Sequence, residues 1–287
     1  MRAILANPGG APEFETPGEE ALSRPSPETP LLSIKDLSIK YGNKHAVKDF
    51  NLEIGKGEVV SFVGESGSGK TTVARAVMGL LPPAAKIGGN SSVKFLGREL
   101  FGLPPKKWAR IRGDKISMIF QDSGNMLNPV RSIGSQFKEY ILTKRSVSGK
   151  SALNLAAENL FRTGLSDPLA ILKSYPFQLS GGMRQRVGIA MAMVFKPDLL
   201  IADEPTSALD ATTQKQVIEE LRNLKSRENM AIILVTHNLG VASFISDRIV
   251  VLRNGDTMDE GDPDTLIDAP GSDYTRELLA AVPALAD

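Results

Sequence analysis

The sequence predicts an α/β fold with a mainly parallel sheet covered by helices. Apolar runs over residues 199–202 and 231–236 predict buried strands, and helical patterns over about 181–195 and 213–226 alternate with them. Strands that alternate with helices of this length favour a parallel sheet with helices on both faces. A third predicted strand, 59–63, leads through a glycine-rich loop into another helix and so repeats the strand-to-helix order.

The glycine-rich loop and the start of its helix form the first candidate site. They consist of Gly64, Glu65, Ser66, Gly67, Ser68, Gly69, Lys70, Thr71 and Thr72. The glycines lack a Cβ, so the backbone can turn successive N–H groups toward phosphate oxygens. Lys70 supplies a positive charge for the β and γ phosphates, and the Thr71 hydroxyl suits Mg²⁺. Since a strand precedes the loop and a helix N-terminus follows it, we interpret the segment as a nucleoside triphosphate site rather than a plain turn.

Two adjacent carboxylates at the end of the strand over 199–202 form the second candidate site. In α/β proteins, ligands bind at the carboxyl ends of the strands, where Asp203 and Glu204 would lie. We expect Asp203 to hold Mg²⁺, mostly through water, and Glu204 to polarise the attacking water. The alternative is two acidic residues that only solvate a strand end.

Composition excludes several classes of protein. The 287 residues include 34 basic and 33 acidic side chains, so the charge gives no indication of nucleic-acid binding. The absence of cysteine excludes disulfides, thiolate zinc sites and cysteine-ligated iron–sulfur clusters, and it fits a reducing cytosol. The apolar runs are shorter than the roughly 20 residues that span a bilayer. The N-terminus also lacks the pattern of a signal peptide, so we do not expect secretion.

Residues 1–30 are rich in proline and poor in apolar side chains, and we expect them to form a disordered tail. Strands are predicted from Leu31 to Tyr41 and over 46–54. The stretch over about 123–178 is amphipathic with helical spacing, which predicts an inserted helical subdomain.

A further glycine-containing segment, 179–186, lies between the two candidate sites in the chain. It resembles the signature of the nucleotide-binding subunits of ATP-binding cassette (ABC) transporters, and this resemblance extends from Leu31 to the C-terminus. A helix that starts here would offer donors from Ser180, Gly181 and Gly182 to a γ phosphate. The resemblance implies that this phosphate belongs to the ATP of a partner subunit and that Gln185 also faces the nucleotide. The alternative is an ordinary helix start.

Four other residues match the family in its order. Tyr41 resembles the aromatic residue that stacks on adenine, and Gln121 resembles the glutamine that senses Mg²⁺ and the catalytic water. Asp210 resembles the aspartate of the loop that crosses to the partner site, and His237 resembles the histidine that contacts the γ phosphate. Gln121 would be uninformative alone, and a tyrosine or a histidine at a strand end, such as Tyr41 or His237, is commonly structural.

The family implies the domain organisation and the cofactors, ATP and Mg²⁺. It implies a phosphate-loop NTPase core with an antiparallel β subdomain and the inserted helical subdomain. The ABC ATPase domain would span residues 31–255, followed by a C-terminal extension over 256–287.

Within the family, the sequence is most similar to the ATPases of oligopeptide and dipeptide importers, a branch that also contains nickel and related uptake systems. The similarity rests on the local sequences at 127–129, 175–178 and 274–283. The sequence departs from the branch at 123–126 and at Asn238, and it has no cysteine cluster. The branch implies a peripheral protein on the cytoplasmic face of the cell membrane. Its partners would be two membrane-spanning permease subunits, a second ATPase subunit of the same or a homologous chain, and an extracytoplasmic substrate-binding protein.

Three alternative functions disagree with the sequence. A soluble ABC ATPase of DNA repair or translation usually has paired cassettes, zinc modules or coiled coils, which this sequence lacks. A kinase or GTPase outside the family would have no reason to carry the signature. An ATPase-incompetent regulatory subunit disagrees with the presence of Lys70, Gln121, Asp203, Glu204 and His237.

Overall fold

A computed structural model describes residues 29–121, 126–207 and 209–281. The predicted N-terminal tail therefore lies almost entirely outside the described residues, as do positions 123–125 of the predicted helical subdomain and the last six residues of the predicted extension. No helix within the described ranges is long and apolar enough to cross a membrane.

The strands of the described ranges are β1 (Leu32–Tyr41), β2 (Lys44–Ile54), β3 (Val59–Val63), β4 (Ala85–Ile87), β5 (Ser92–Phe95), β6 (Arg98–Glu99), β7 (Ile116–Ile119), β8 (Leu199–Asp203), β9 (Ala231–Thr236), β10 (Arg248–Arg253) and β11 (Asp256–Gly261). The helices are α1 (Lys70–Val77), α2 (Pro105–Ile111), α3 (Ile133–Lys144), α4 (Gly149–Arg162), α5 (Pro168–Lys173), α6 (Gly181–Met193), α7 (Ala211–Glu228), α8 (Leu239–Ile245), α9 (Pro263–Asp268) and α10 (Asp273–Ala280). A short 3-10 helix, Pro176–Gln178, precedes α6.

The central sheet has the strand order β11-β10-β3-β9-β8-β7. All neighbouring strands from β10 to β7 are parallel, and only β11 pairs antiparallel, at the edge. Strands β3, β8 and β9 are buried along their whole length, as expected for a parallel sheet covered on both faces. The register pairs Val63 with Thr236 and Asp203 with Val235. The carboxyl ends of β3, β8 and β9 therefore meet at one edge, and β11 continues the sheet past residue 255.

A second sheet is antiparallel and consists of β2, β1, β5 and β6, with β4 paired to β1. It shares one hydrophobic core with α1 and the central sheet. At this contact the ring of Phe50 meets the edge of Phe62, with centroids 5.7 Å apart and planes at 81°. The predicted combination of a mainly parallel sheet and an antiparallel β subdomain is confirmed.

The inserted helices α3, α4 and α5 pack with α6 around a core of their own. Serine side chains cap three of these helices, because Ser132, Ser148 and Ser180 each accept a hydrogen bond from the backbone N–H three residues later. The end of α3 is linked to the turn before β7 by Arg145, whose guanidinium lies 2.6 Å from an Asp114 carboxylate oxygen. The helical unit thus has its own packing and carries the start of α6.

Replacing Phe137 by alanine is expected to lower the free energy of unfolding by about 3–5 kcal/mol, because it leaves a cavity in the helical core. Phe137 is completely buried, whereas Phe161 on the next helix is 58% exposed. Phe161→Ala should change the free energy of unfolding, measured by urea denaturation, by less than about 0.5 kcal/mol relative to wild type. Equal losses in the two variants would contradict the burial of Phe137 in the helical core.

Candidate active site

The loop over residues 64–71, called the phosphate loop below, is held between the two sheets. Gly64 has φ +148°, and a Cβ there would lie 2.1 Å from the Leu252 carbonyl oxygen. Gly69 has φ +115°, and a Cβ there would lie 2.5 Å from the Ala46 carbonyl oxygen. The Gly255 N–H donates to the Ser68 carbonyl oxygen at 2.9 Å. The loop can approach both neighbours only because glycine occupies these positions.

Lys70 is buried inside the phosphate loop, with 5% of its surface exposed. Its Nζ donates to the carbonyl oxygens of Gly64 and Glu65, each at 2.7 Å, and to the Ser68 hydroxyl at 3.3 Å. The ammonium group is therefore positioned in the concave side of the loop by backbone oxygens, where an anion can compete for its protons.

Thr71 and Asp203 connect the phosphate loop with the end of β8. The Thr71 hydroxyl donates to Asp203 Oδ1 at 3.0 Å. Burial raises the pKa of Asp203, and the bond from Thr71 acts against this rise. Burial lowers the pKa of Lys70, and the charges of Glu204 and Asp203 act against this decrease. One hydroxyl and one carboxylate at this spacing fit Mg²⁺, which takes one or two protein oxygens together with phosphate oxygens and water.

Glu204 follows β8 with a backbone that is unusual for a side chain of its size. Its φ is +46°, a left-handed conformation that is costly for residues other than glycine, and its N–H donates to the Val235 carbonyl oxygen at 2.9 Å. Its carboxylate Oε2 lies 3.0 Å from Nδ1 of His237, in the loop after β9. The Glu204 side chain is 20% exposed and that of His237 is 64% exposed. The pair therefore reaches across the sheet edge while remaining open to solvent.

A cavity of about 130 Å³ lies beside this pair. It is lined by Glu204, Thr206, Ser207, Leu209, Gln214, Thr236, His237 and Asn238. Thr206, Ser207 and Gln214 were not predicted as site residues, although their position between Glu204 and the first turn of α7 could have indicated them. Gln214 Nε2 donates to the Thr206 hydroxyl at 3.1 Å, which holds this wall in place.

The segment over residues 179–186, called the signature segment below, lies on the helical unit. Ser180 is the N-cap of α6, and its hydroxyl oxygen accepts from the Met183 N–H at 3.2 Å. Gly181 is exposed and has open space where a Cβ would point, whereas a Cβ on Gly182 would lie 2.6 Å from a Thr213 methyl group. The two glycines thus differ, since Gly182 serves packing within the chain and Gly181 faces outward.

Two further predicted nucleotide-binding residues make hydrogen bonds within this chain. Gln185 is buried, and its Nε2 donates to the Pro205 carbonyl oxygen at 2.7 Å, which links α6 to the segment after Glu204. Asp210 is the exposed N-cap of α7 and accepts from the Thr213 N–H at 3.0 Å and the Thr213 hydroxyl at 2.7 Å. Hydrogen bonds from Thr213 lower the pKa of Asp210, so it stays ionised as a cap.

The remaining predicted residues lie around the phosphate loop and the sheet edge. Tyr41 ends β1, is half-buried and packs against the shared core. Thr72 is half-buried in the first turn of α1. Gln121 is exposed and follows β7, whose Ile119 pairs with Ala202 one residue before Asp203. The tertiary structure therefore brings Lys70, Thr71, Asp203, Glu204 and His237 to one edge and places the signature segment on a different unit.

Known proteins are similar to this chain over most of its length. The oligopeptide transport ATP-binding protein OppD of Salmonella typhimurium is 41% identical over 271 residues, which cover 93% of this chain and 80% of OppD. The dipeptide transport ATP-binding protein DppD of Bacillus subtilis is 39% identical over 259 residues, which cover 89% of this chain and 77% of DppD.

Among solved structures, the chain is similar to the ATP-binding cassette MJ0796 in a dimeric post-hydrolysis state bound to ADP and Pi. The TM-score is 0.70 at 31% identity, over 81% of this chain and 98% of that cassette. The conserved-family profile described as ABC transporter matches residues 47–207, which is more than half of the chain. The chain therefore belongs to the ABC transporter family and has the fold of its ATP-binding cassettes.

Proposed function

We propose that this chain binds ATP with Mg²⁺, hydrolyses the ATP, and thereby powers a membrane importer of oligopeptides or dipeptides. One observation carries the catalytic part of the proposal. The phosphate loop with Lys70, the Thr71–Asp203 contact at 3.0 Å and the Glu204–His237 contact at 3.0 Å all lie at the same sheet edge. A phosphate-binding loop, a cation site and a carboxylate base thus lie within one site.

The residues of this chain divide the reaction between them. Lys70 exchanges its loop carbonyl partners for the β and γ phosphate oxygens, which are stronger acceptors because they are charged. Thr71 and Asp203 would hold Mg²⁺, which would neutralise charge on the phosphates, and Gln121 would take part in sensing the metal and the water. Tyr41 stacks on the adenine.

Glu204 accepts a proton from water while the water oxygen attacks the γ phosphorus. The bond between that phosphorus and its bridging oxygen breaks, and the bonding electrons leave with ADP. His237, which lies 3.0 Å from the carboxylate in this structure, orients Glu204 and then contacts the γ phosphate. The solvent-exposed cavity beside the pair gives water access to the carboxylate.

The signature segment completes the site of a partner cassette. The Ser180 hydroxyl uses an acceptor position for its cap bond, so its proton remains to be donated to a phosphate oxygen. Gly181 and Gly182 add the N–H groups of a helix N-terminus. Asp210, at the start of α7, contacts the partner site. Gln185 holds the signature segment through its bond to the Pro205 carbonyl oxygen. The partner is a second copy of this chain or a homologous ATPase.

The transport part of the proposal rests on the similarity to relatives named as oligopeptide and dipeptide transport ATP-binding proteins. We infer that the chain is peripheral on the cytoplasmic face of the cell membrane. It works there with two membrane-spanning permease subunits and an extracytoplasmic substrate-binding protein. Peptides are favoured over nickel, since both relatives named above are peptide systems.

Mass spectrometry of proteins that co-purify with the chain tests this proposal. The chain is extracted from its native membranes in mild detergent with ATP. We expect two polytopic membrane proteins and, if the partner is not a second copy, one further ATPase. Uptake of labelled peptide or labelled nickel by cells that lack the chain then decides the substrate class. Recovery of soluble partners alone would contradict the transport function.

A further inference from the structure

Helix α10 touches the phosphate loop from a position 209 residues away in the chain. The hydroxyl oxygen of Tyr274 accepts a hydrogen bond from the Glu65 N–H at 3.0 Å. Tyr274 is only 2% exposed, and its ring belongs to the same buried cluster as Val63, the last residue of β3. The contact therefore lies where the phosphate loop leaves its strand.

Tyr274 is itself held firmly. The guanidinium of Arg253 lies over its ring, 4.4 Å from the ring centroid. The helix that carries it is anchored through Asp259 on β11, which accepts from the Ser272 N–H at 2.8 Å and the Thr275 hydroxyl at 2.6 Å. A group can restrain a loop only if the group itself is held in place, and the anchored Tyr274 meets this condition.

The bond to Glu65 differs from the other hydrogen bonds at this end of the phosphate loop. Lys70 Nζ also bonds the loop there, through the carbonyl oxygens of Gly64 and Glu65. Those bonds would be lost if Lys70 turned to a phosphate. The Tyr274 bond uses the Glu65 N–H and does not involve Lys70, so this movement of Lys70 would leave it in place.

We propose that Tyr274 is a positioning residue that holds the phosphate loop in its nucleotide-binding conformation. This inference rests on the proposed ATP binding. If the loop leaves this conformation for part of the time, its apparent affinity for nucleotide is the intrinsic affinity multiplied by the fraction of loops in the binding conformation. The C-terminal part of the chain, β11 to α10, thus contributes to the affinity for ATP although it supplies none of the phosphate-binding residues.

Replacing Tyr274 by phenylalanine removes the hydroxyl and keeps the ring, its packing and the Arg253 contact. Loss of this one hydrogen bond should raise the Kd for a fluorescent N-methylanthraniloyl ATP about three- to tenfold. The kcat at saturating ATP should stay within about twofold, since the catalytic groups are intact. Hydrogen exchange of the ligand-free chain, followed by mass spectrometry, should become faster in the peptide that covers residues 63–70.

Tyr140→Phe is the matched control, since Tyr140 is a half-buried tyrosine on α3 in the helical unit. It should change neither the Kd nor exchange over 63–70. Asp259→Ala, which loosens the anchor of α10, should change both in the same direction as Tyr274→Phe.

The outcomes separate this inference from the proposed function. A wild-type chain that fails to bind the ATP analogue contradicts ATP binding itself. A wild-type chain that binds it, with a Tyr274→Phe variant of the same Kd or the same exchange over 63–70, overturns the inference. Faster exchange across the whole chain, or a loss confined to kcat, overturns it as well, because either would make Tyr274 a general structural residue.

Discussion

Replacing Glu204 by glutamine is expected to lower ATP turnover by about 10²- to 10⁴-fold while leaving ATP binding intact. Glutamine has nearly the same shape but cannot accept the proton of the attacking water, and loss of a general base has an effect of this size. The hydrogen bonds of Lys70 within the phosphate loop and the Thr71–Asp203 contact do not involve this side chain. Bound ATP should therefore persist and hold two cassettes together, because the γ phosphate that favours closure is not removed.

Phosphate release and size-exclusion chromatography with ATP measure the two effects of Glu204→Gln. We expect turnover near background and a dimer peak that wild type shows only transiently. Glu139→Gln is the control, since Glu139 is an exposed carboxylate on α3 that pairs with Arg131. Turnover of Glu204→Gln at the wild-type rate would remove Glu204 from the role of base.

Replacing Ser180 by arginine should abolish hydrolysis and leave the Kd for ATP within about twofold. Removal of one preorganised donor to a reacting phosphate is typically associated with a loss of about 10²–10³ in kcat. The arginine side chain would in addition fill the exposed start of α6, where Gly181 faces open space. The phosphate loop, on a separate unit of the same chain, keeps its own contacts and should still bind the nucleotide.

The effect of Ser180→Arg on helix capping has to be separated from its effect on the site. Ser148→Arg serves this purpose, because Ser148 caps α4 with the same kind of bond, from the Ser151 N–H at 3.1 Å. Loss of such a cap destabilises by about 0.5–2 kcal/mol. Thermal unfolding should shift similarly in both variants, while only Ser180→Arg loses phosphate release. Normal hydrolysis by Ser180→Arg would contradict a site shared between two cassettes.

Much of the site follows from local sequence. The phosphate loop is predicted because Gly64 and Gly69 need positive φ beside a buried strand, and the structure finds both in that conformation. Asp203 and Glu204 follow an apolar run. Because a strand covered on both faces is apolar along its length, the first acidic residues after it mark the edge of the sheet. These patterns depend on neighbours in the chain, so the residue types alone indicate them.

The short strands β4, β5 and β6 and the helices α8 to α10 did not emerge from the sequence. Two to four residues do not show a period, and helices of six to eight residues depend on packing rather than on propensity. Gln185 shows the same limit for side chains. Its nucleotide contact stays a prediction from the family resemblance, whereas its burial and its bond to the Pro205 carbonyl oxygen depend on packing that no local pattern shows.

The sequence by itself determined the class of fold, the phosphate loop, the acidic strand end and the family. Only the tertiary structure decided which distant residues touch. It placed Glu204 against His237, Thr71 against Asp203 and Tyr274 against Glu65, which are 33, 132 and 209 residues apart in the chain. The physical reason is that periodicity and turn chemistry act over a few residues, whereas a contact between distant segments depends on strand order and helix packing across the whole domain.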